Sequence, residues 1–247
     1  MEFYNEVAEK YDDLVSFENR VKREANFYDS IFKKYKVKTV LDCACGTGHH
    51  VMMLKQLGYD VKGSDLSPAM LEKARANLKN IDLDVTLKIA DFRFLTKTFD
   101  YKFDAVLCVG NSLPHLMSNE DLSQALAEMN TILSKNGVLI IEQRNYDKLI
   151  KEKKRFFPVS YREYEAFFYA LDYGVSTITF NIININTFNQ TFHIYTTEYN
   201  ILKMDKLKDL FDAAGFQIIE YYEDYNFNQF NIEMSDHSIL LCKKNRR

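Results

Sequence analysis

The 247-residue sequence predicts an α/β fold, in which a doubly wound sheet of seven strands carries an inserted antiparallel β lobe. Two observations support this prediction. Up to about residue 142, apolar runs alternate with amphipathic helical stretches, the order typical of a parallel sheet covered by helices. From about Arg155 to Leu202 the apolar residues instead recur with a period of two, which is typical of antiparallel strands.

The core elements follow in order along the first part of the chain. Residues 2–36 are amphipathic and predict one or two helices before a first strand that ends at Asp42. A helix that begins near Val51 ends at Gly58, because glycine is favoured just past a helix C-terminus. Ser67-Pro68 predicts the start of the next helix. The other expected elements are strands at 60–65, 85–90, 103–109 and 138–142, the last after an Asn136-Gly137 turn, and a helix at 119–134.

The antiparallel block falls between the fifth and sixth strands of the core sheet and predicts two or three strands. A helix at 205–214 follows it and ends at Gly215. Two closing strands, at 216–222 and 238–242, complete the core sheet. A β block inserted at this point can cover a site at the edge of the sheet.

The length of the chain favours one domain, because 247 residues can bury one full core with an inserted lobe. No internal repeat or low-complexity linker divides the sequence. We therefore expect a single domain over residues 1–247. Its core comprises residues 1–150 and 203–247, and its β lobe spans about 155–202.

The charge and composition of the chain limit the kinds of partner that the protein is expected to bind. The net charge of −3 argues against a surface that binds a nucleic-acid backbone, which needs clustered positive charge. No apolar run approaches the ~20 residues of a membrane helix, and residues 1–6 lack the basic start of a signal peptide. We expect a cytoplasmic protein that binds neither nucleic acid nor membrane, and the sequence leaves a homo-oligomer open.

The four cysteines are expected to be small core residues. Cys43 and Cys45 flank a predicted buried strand end, and Cys108 and Cys242 lie in apolar runs. We therefore expect no disulfide. No spacing of histidine, cysteine and aspartate predicts a metal site. We expect His49, His50, His193 and His237 to be structural or exposed.

A short glycine turn predicts a ligand site at the end of the first strand. An apolar run ends at Asp42, Gly46-Thr47-Gly48 follows, and a helical stretch comes next. Glycine allows the backbone of such a turn to approach a ligand closely. The second strand ends at Asp65, 23 residues after Asp42, where a carboxylate can bind two vicinal ribose hydroxyls. Together these residues predict a nucleoside-containing cofactor over the carboxyl edge of a parallel sheet.

The turn departs from the dinucleotide fingerprint, since Val51 stands where that fingerprint has its third glycine. Asp42 would repel a pyrophosphate but suits an ammonium group. The pattern Asp-x-Ala-x-Gly-Thr-Gly, followed by Gly-x-Asp-x-Ser, resembles the class I S-adenosylmethionine-dependent methyltransferases. That resemblance implies a Rossmann-like methyltransferase sheet and S-adenosyl-L-methionine as cofactor, with S-adenosyl-L-homocysteine as product.

Two later segments narrow the resemblance. Gly110-Asn111-Ser112 with His115-Leu116 follows the fourth strand, and Arg144-Asn145-Tyr146-Asp147 follows the fifth. Loops at the carboxyl ends of strands are where doubly wound sheets bind their ligands. In this order the two segments are similar to the glycine N-methyltransferase group, over residues from about Tyr11 to the C-terminus.

The resemblance implies a role for each matching residue. Arg20, 22 residues before Asp42, would engage the methionine carboxylate of the donor, and Asp65 its ribose. Asn111 and Arg144 would receive an amino-acid acceptor, with the guanidinium binding its carboxylate in a bidentate way. Tyr11 matches an N-terminal tyrosine of the family. The other implied donor contacts are Asp42, Ala44, Gly46, Gly48, Leu66, Asp91, Phe92, Val109 and His115.

The sequence departs from the family in the lobe and beside the adenine. Phe157 and Phe180 align with lobe tyrosines, which weakens the case for glycine itself and allows a larger or more apolar amine. Asp91-Phe92 stands where the family has Asn-Trp. The lobe still offers tyrosines whose rings could stabilise a cation by about 0.5–2 kcal/mol each. These tyrosines are Tyr161, Tyr164, Tyr173 and Tyr195.

The sequence therefore predicts a methyltransferase that acts on the amine of a small molecule. An amino acid or another carboxylate-bearing amine, such as glycine or sarcosine, is the favoured acceptor. Two alternatives stay open: a methyltransferase for a sugar-nucleotide or natural-product amine, and a non-catalytic protein that senses S-adenosylmethionine. Transfer from a sulfonium is an in-line displacement, so position and exclusion of water matter more than a strong base.

Overall fold

The computed structural model describes residues 2–14, 16–161 and 163–245. Two β-sheets hold all the named strands. The strands are β1 (Thr39–Asp42), β2 (Asp60–Asp65), β3 (Thr86–Ile89), β4 (Phe103–Cys108), β5 (Leu133–Arg144), β6 (Phe156–Tyr161), β7 (Glu165–Tyr173), β8 (Thr177–Asn186), β9 (Thr191–Asn200), β10 (Phe216–Tyr222) and β11 (His237–Lys244).

Helices connect these strands. They are α1 (Glu2–Leu14), α2 (Phe17–Tyr35), α3 (His49–Gln56), α4 (Pro68–Asn80), α5 (Asn119–Ile132), α6 (Tyr146–Glu152) and α7 (Met204–Ala213). Short 3₁₀ segments lie at Phe92–Lys97 and Leu113–His115. The N-terminal region forms two helices, in agreement with the sequence prediction.

The larger sheet has the strand order β10-β11-β5-β4-β1-β2-β3. β1 pairs in parallel with both β2 and β4, and only β11 runs against its neighbours. The chain adds β2 and β3 on one side of β1 and then crosses to β4 on the other side. The carboxyl ends of β1 and β4 therefore form the switch point where doubly wound sheets bind ligands. The predicted seven-stranded sheet is confirmed.

Local capping explains where the helices around this edge begin. The Ser67 hydroxyl accepts a hydrogen bond from the Met70 amide, and Pro68 occupies the first turn of α4. The Ser118 hydroxyl caps α5 in the same way, through the Asp121 amide. A side-chain cap of this kind contributes roughly 1 kcal/mol. These caps place the helix N-termini at the same edge as the strand ends.

Helices cover both faces of the larger sheet. On one face α2 and α3 bury Phe27, Phe32 and Met53, and on the other α5 and α7 bury Met129 and Phe211. Full burial of one such side chain contributes about 1.5–3 kcal/mol. The strands between them are apolar on both sides, as a covered parallel sheet requires.

The smaller sheet has four antiparallel strands in the order β6-β7-β8-β9, so the prediction of two or three strands was too low. Phe168 and Ile194 lie on its exposed outer face. Alternate residues, including Phe167 and Phe180, face the core cluster of the larger sheet. The sheet lies between β5 and β10 in sequence, as predicted. The short turns within it were hard to separate because polar and apolar residues continue to alternate through them.

Two boundaries around β5 differ from the prediction. The strand begins at Leu133, and the Asn136-Gly137 turn forms an irregularity inside it, since Phe103 pairs with Leu133 whereas Ala105 pairs with Val138. Helix α6 was not predicted, although the Asn145 side chain accepts from the Lys148 amide and caps it. The strand extends two residues beyond the predicted 142, so that Arg144 is its last residue, at the strand end as expected.

Three further features concern partners and metals. In the part of the chain that the structure describes, no helix has the length and apolar character to cross a bilayer. The four cysteines are free and buried. Among the described residues, no cluster of histidine, cysteine and carboxylate side chains is arranged to hold a metal ion.

Candidate active site

A cavity of about 510 Å³ opens at the switch point of the larger sheet. Loops after β1, β2 and β4 form its floor, and residues of α1, α2 and β9 complete its wall. Most of the residues predicted from the sequence line it. They are Tyr11, Arg20, Ala44, Gly46, Asp65, Leu66, Asp91, Phe92, Val109 and His115.

The glycine turn brings backbone close to this cavity. Gly46 has a φ of +52°, a conformation that favours glycine, and its amide donates to Asp65 Oδ2 at 2.8 Å. Gly48 lies outside the cavity lining, with a φ of +86°. A Cβ atom at Gly48 would lie 3.1 Å from the Cβ of Ala74, so this glycine serves the packing of α3 on α4. The two glycines of the motif are therefore required for different structural reasons.

Asp65 lies at the cavity wall with its carboxylate already oriented. Its Oδ1 accepts from the Ser67 amide at 2.9 Å, while Oδ2 accepts from Gly46. Burial raises the pKa of Asp65, although these amide hydrogen bonds oppose the shift. Each carboxylate oxygen can accept a further hydrogen bond. Asp65 is thus placed to accept from two vicinal hydroxyls in the cavity.

A buried charged cluster lies at the cavity wall, where Arg20 and His50 line the cavity. Arg20 Nη1 lies 2.7 Å from His50 Nε2 and 3.6 Å from Glu24 Oε2. Burial would raise the pKa of Glu24, but His50 and Arg20 outweigh it and lower this pKa to about 2. Glu24 is therefore a buried anion that contacts both Arg20 and His50.

Asp42, also fully buried, lies beside this cluster and outside the cavity lining. Its Oδ1 accepts from the Ala44 amide at 3.2 Å, and its Oδ2 lies 3.8 Å from His50 Nδ1. Burial outweighs these contacts and raises the pKa of Asp42 to about 6. A nearby cation would favour its ionised form.

Asp91 and Phe92 also line the cavity, at the start of a 3₁₀ segment. Asp91 caps this segment through the Arg93 amide at 2.9 Å, and its Oδ2 accepts from Arg93 Nη2 at 2.6 Å. Arg93 also pairs with Asp121 at 2.7 Å. Burial opposes the effect, but the contacts with Arg93 lower the pKa of Asp91. The ion pairs thus fix the carboxylate at the cavity wall.

The N-terminal helix closes another side of the cavity. The Tyr4 hydroxyl lies 2.8 Å from His115 Nε2, and the Ser67 hydroxyl donates to Asn5 Oδ1 at 2.6 Å. Burial lowers the pKa of His115 to about 4, so its ring is neutral near pH 7. Helix α1 is therefore attached to the loops after β4 and β2 through neutral hydrogen bonds.

Arg144 lies outside the cavity lining, against a packed pair of aromatic side chains of the lobe. Its guanidinium carbon is 5.6 Å from the ring centroids of both Tyr169 and Phe180. These cation–π contacts orient the guanidinium without using its N–H donors. Among the described residues, no carboxylate forms an ion pair with Arg144. Arg144 is thus a cation that contacts two aromatic rings, and its N–H donors meet no carboxylate of the described residues.

Asn111 connects Arg144 to the end of β4. Its Oδ1 accepts from the Arg144 amide at 3.0 Å, and its Nδ2 donates to the Tyr146 hydroxyl at 3.1 Å. Asn111 is buried and lies outside the cavity lining. Tyr199 connects this group to the cavity, since its ring lies 4.6 Å from that of His115 and 5.4 Å from that of Phe180. The predicted acceptor residues are thus adjacent to the predicted donor residues.

None of the four lobe tyrosines named from the sequence lines the cavity, although Tyr173 and Tyr195 pack against the core cluster. Tyr161 and Tyr164 are exposed, at 81% and 49%, and neither lines the cavity. Tyr169 and Tyr199 were missed, although they lie next to Arg144 and His115. Their signal was present in the period of two, because Thr197 and Tyr199 share the face of β9 that pairs with Phe180.

Several other residues of the cavity were not predicted from the sequence. Tyr4 lines the cavity from α1, and Glu198 from β9. His49 and His50 are buried, as a structural role requires, and they also line the cavity. Phe157, aligned with a family tyrosine, is half-buried, and Lys154 lies over its ring. Tyr4 and Glu198 lie on elements that are far apart along the chain, and the spacing of residues does not predict that such elements meet.

Comparisons with known proteins agree with this geometry. A family model described as a methyltransferase domain matches residues 40–137. A glycine/sarcosine N-methyltransferase from Aphanothece halophytica is 31% identical over 98% of this chain and 90% of its own length. A protein of the same name from Parasynechococcus marenigrum (strain WH8102) is 39% identical over 61% of this chain. The matched part of the chain spans about half, 53%, of the length of that second relative.

A solved structure shows the same fold over nearly the whole chain. An S-adenosylmethionine-dependent methyltransferase from Clostridium acetobutylicum ATCC 824 superposes with a TM-score of 0.82, covering 98% of this chain and 99% of that one, at 19% identity. Fold, motifs and cavity together define an S-adenosylmethionine-dependent methyltransferase. Within that class, the chain belongs to the family of the glycine/sarcosine N-methyltransferases named above.

The residues of the cavity fit the cofactor of this class. S-adenosylmethionine carries an ammonium, a carboxylate and a ribose diol. Two buried atoms beside the cavity, Asp42 Oδ2 and Arg20 Nε, have no hydrogen-bond partner among the described residues. One is an acceptor and the other a cationic donor, which suits the two charged groups of an amino-acid end. The Asp65 carboxylate at the cavity wall is an acceptor of the kind that suits a diol.

Proposed function

We propose that the protein transfers the methyl group of S-adenosylmethionine to the amine of a small, carboxylate-bearing acceptor such as glycine or sarcosine. The observation that supports this acceptor class is Arg144, a cation against the paired rings of Tyr169 and Phe180 whose donors meet no carboxylate of the described residues. A guanidinium with free, oriented donors suits bidentate binding of a carboxylate. The relatives that match are named for glycine and sarcosine, which agrees with this choice.

On the donor side, we assign the ribose hydroxyls to Asp65 and the methionine carboxylate to Arg20. Asp42 would favour the donor ammonium from beneath the turn, and Asp91 and Phe92 would border the adenine. The other assigned donor contacts are Ala44, Gly46, Leu66, Val109 and His115, with Gly48 supporting the turn. Arg20, Asp65 and Asp91 all line the same cavity, which agrees with these assignments.

When bound, the cofactor supplies an electrophilic methyl group on a sulfonium. The protein residues then have three tasks: to hold the acceptor amine in line, to exclude water, and to keep charges balanced. Asn111 and Arg144 would orient the acceptor. Tyr11 remains a neutral phenol, because burial raises its pKa, and it would contribute a hydrogen bond at the cavity wall. No strong base is needed if the amine enters unprotonated.

Phe180 gives the acceptor site an apolar side. It is 5% exposed and packs against Tyr169 at a centroid separation of 4.8 Å. An aromatic face without a hydroxyl can accept an N-methyl group without leaving a buried polar atom unpaired. We therefore include a secondary amine such as sarcosine in the proposed acceptor class. We also propose a cytoplasmic location, in agreement with four buried free cysteines.

The test of this function is release of S-adenosylhomocysteine against a matched panel of amines. Glycine and sarcosine should be methylated, whereas glycinamide and glycine methyl ester, which lack the carboxylate, should be poor acceptors. A protein that binds S-adenosylhomocysteine by calorimetry but releases none with any amine would be a sensor rather than an enzyme. Preference for uncharged amines would favour the natural-product alternative.

A second prediction concerns the N-terminal segment. Because Arg20 and Tyr11 line the cavity from α2 and α1, S-adenosylhomocysteine should hold both helices against the core. Limited proteolysis between residues 10 and 25 should slow severalfold when this ligand is added. Cleavage in the exposed 187–190 turn of the lobe serves as the control and should not change. Equal cleavage near Arg20 with and without ligand would contradict the assignment of Arg20 to the donor carboxylate.

A further inference from the structure

The turn that follows β4 has an unusual backbone. Gly110 and Asn111 are consecutive residues with positive φ, +73° and +63°. Glycine adopts this region readily, but a non-glycine residue there costs of order 1 kcal/mol or more unless its surroundings hold it. Gly110 lines the cofactor cavity, and Asn111 contacts Arg144. The turn therefore joins the donor and acceptor sides of the site.

One residue holds both amides of this turn. The Gly110 amide donates to Glu142 Oε2 at 2.6 Å, and the Asn111 amide donates to the main-chain carbonyl of Glu142 at 3.1 Å. The carbonyl bond is available to any residue at position 142. The bond to Gly110 requires a side-chain acceptor of the right length, and the Glu142 side chain is only 11% exposed.

The second carboxylate oxygen of Glu142 is bound from the neighbouring strand. His237 Nδ1 on β11 lies 2.8 Å from Glu142 Oε1, and the His237 side chain is 44% exposed. Burial favours the neutral acid, but the contacts with His237 and the Gly110 amide outweigh it and lower the pKa of Glu142. Both carboxylate oxygens are thus committed to contacts within the protein.

From these contacts we infer that Glu142 is a positioning residue, which fixes the strained Gly110-Asn111 turn and through it the acceptor-binding side chain of Asn111. The inference rests on the proposed function only for the role of Asn111. Once the turn is fixed, Asn111 Oδ1 can accept from the Arg144 amide, and the two acceptor residues keep one relative position. Glu142 itself does not line the cavity.

The test compares three variants in the intact protein. Glu142→Asp keeps the charge but is one methylene too short to reach the Gly110 amide. It should raise the acceptor KM about tenfold, while affinity for S-adenosylhomocysteine stays within about threefold. Glu142→Gln keeps an acceptor oxygen of the same reach and should restore the acceptor KM to within about threefold. His237→Ala, the matched control, removes the other partner of Glu142 and should leave the acceptor KM near that of the wild type.

A crystal structure of Glu142→Asp supplies a readout that does not depend on the acceptor. In that variant Asn111 should leave the positive-φ region, whereas in Glu142→Gln it should remain there. If Asn111 keeps its φ and the acceptor KM is unchanged in Glu142→Asp, the positioning role is wrong. If the turn shifts but the wild type methylates no carboxylate-bearing amine, the positioning role stands and the proposed function fails.

Discussion

Replacing Asp65 by alanine is expected to weaken S-adenosylmethionine binding by roughly 2–3 kcal/mol, the largest effect of any single change at this site. Two hydrogen bonds from ribose hydroxyls to a carboxylate account for this value, at about 1.5–3 kcal/mol each with partial replacement by water. Asp65 also accepts from the Gly46 and Ser67 amides, so the same variant loses one contact to the glycine turn and one to the start of α4. Isothermal calorimetry with S-adenosylhomocysteine measures the loss.

The matched control is Asp60→Ala, at the exposed start of the same strand, β2. It removes a carboxylate from β2 without touching the cavity, and its affinity for S-adenosylhomocysteine should equal that of the wild type. A folded Asp65→Ala variant with unchanged affinity for S-adenosylhomocysteine would contradict the assignment of the ribose to Asp65. Circular dichroism melting of both variants separates loss of binding from loss of fold.

Arg144→Lys is expected to raise the acceptor KM about tenfold or more and to leave the donor KM nearly unchanged. Lysine keeps the charge, but it lacks the planar pair of donors that binds both oxygens of a carboxylate. It also changes the cation–π contacts with Tyr169 and Phe180 that orient the guanidinium. A loss of about 1.4 kcal/mol corresponds to tenfold in the binding constant.

Arg155→Lys provides the control for this prediction. Arg155 is an exposed arginine of the lobe region that pairs with Asp172 at 2.7 Å, and its substitution should leave both KM values unchanged. The methyl ester of the true acceptor should be a poor substrate for the wild type, and Arg144→Lys should hardly change its rate. Unchanged acceptor kinetics in Arg144→Lys would remove the carboxylate from the proposed acceptor, and a natural-product amine would replace it.

The sequence by itself determined the features that depend on neighbouring residues. The strand ending at Asp42, the turn through Gly46 and Gly48, and the strand ending at Asp65 are local patterns whose backbone requirements appear directly as residue types. Alternation of strands and helices then fixed the sheet, because parallel strands need crossover helices. The proposed donor side of the site follows from these elements, because the turn after β1 and the end of β2 lie close together along the chain.

Tertiary structure decided which lobe and N-terminal side chains reach the site. Period-two alternation assigns Tyr169 and Tyr199 to a face of the lobe sheet, but only docking of that sheet on the core decides which face is inside. For the same reason Tyr4, 111 residues from His115, could not be connected to it from spacing. The carboxylate of Glu142 likewise holds Gly110 because β4 and β5 are neighbours in the sheet. Contacts between distant segments depend on how elements pack, and the packing of one element on another is not encoded in the pattern of either element alone.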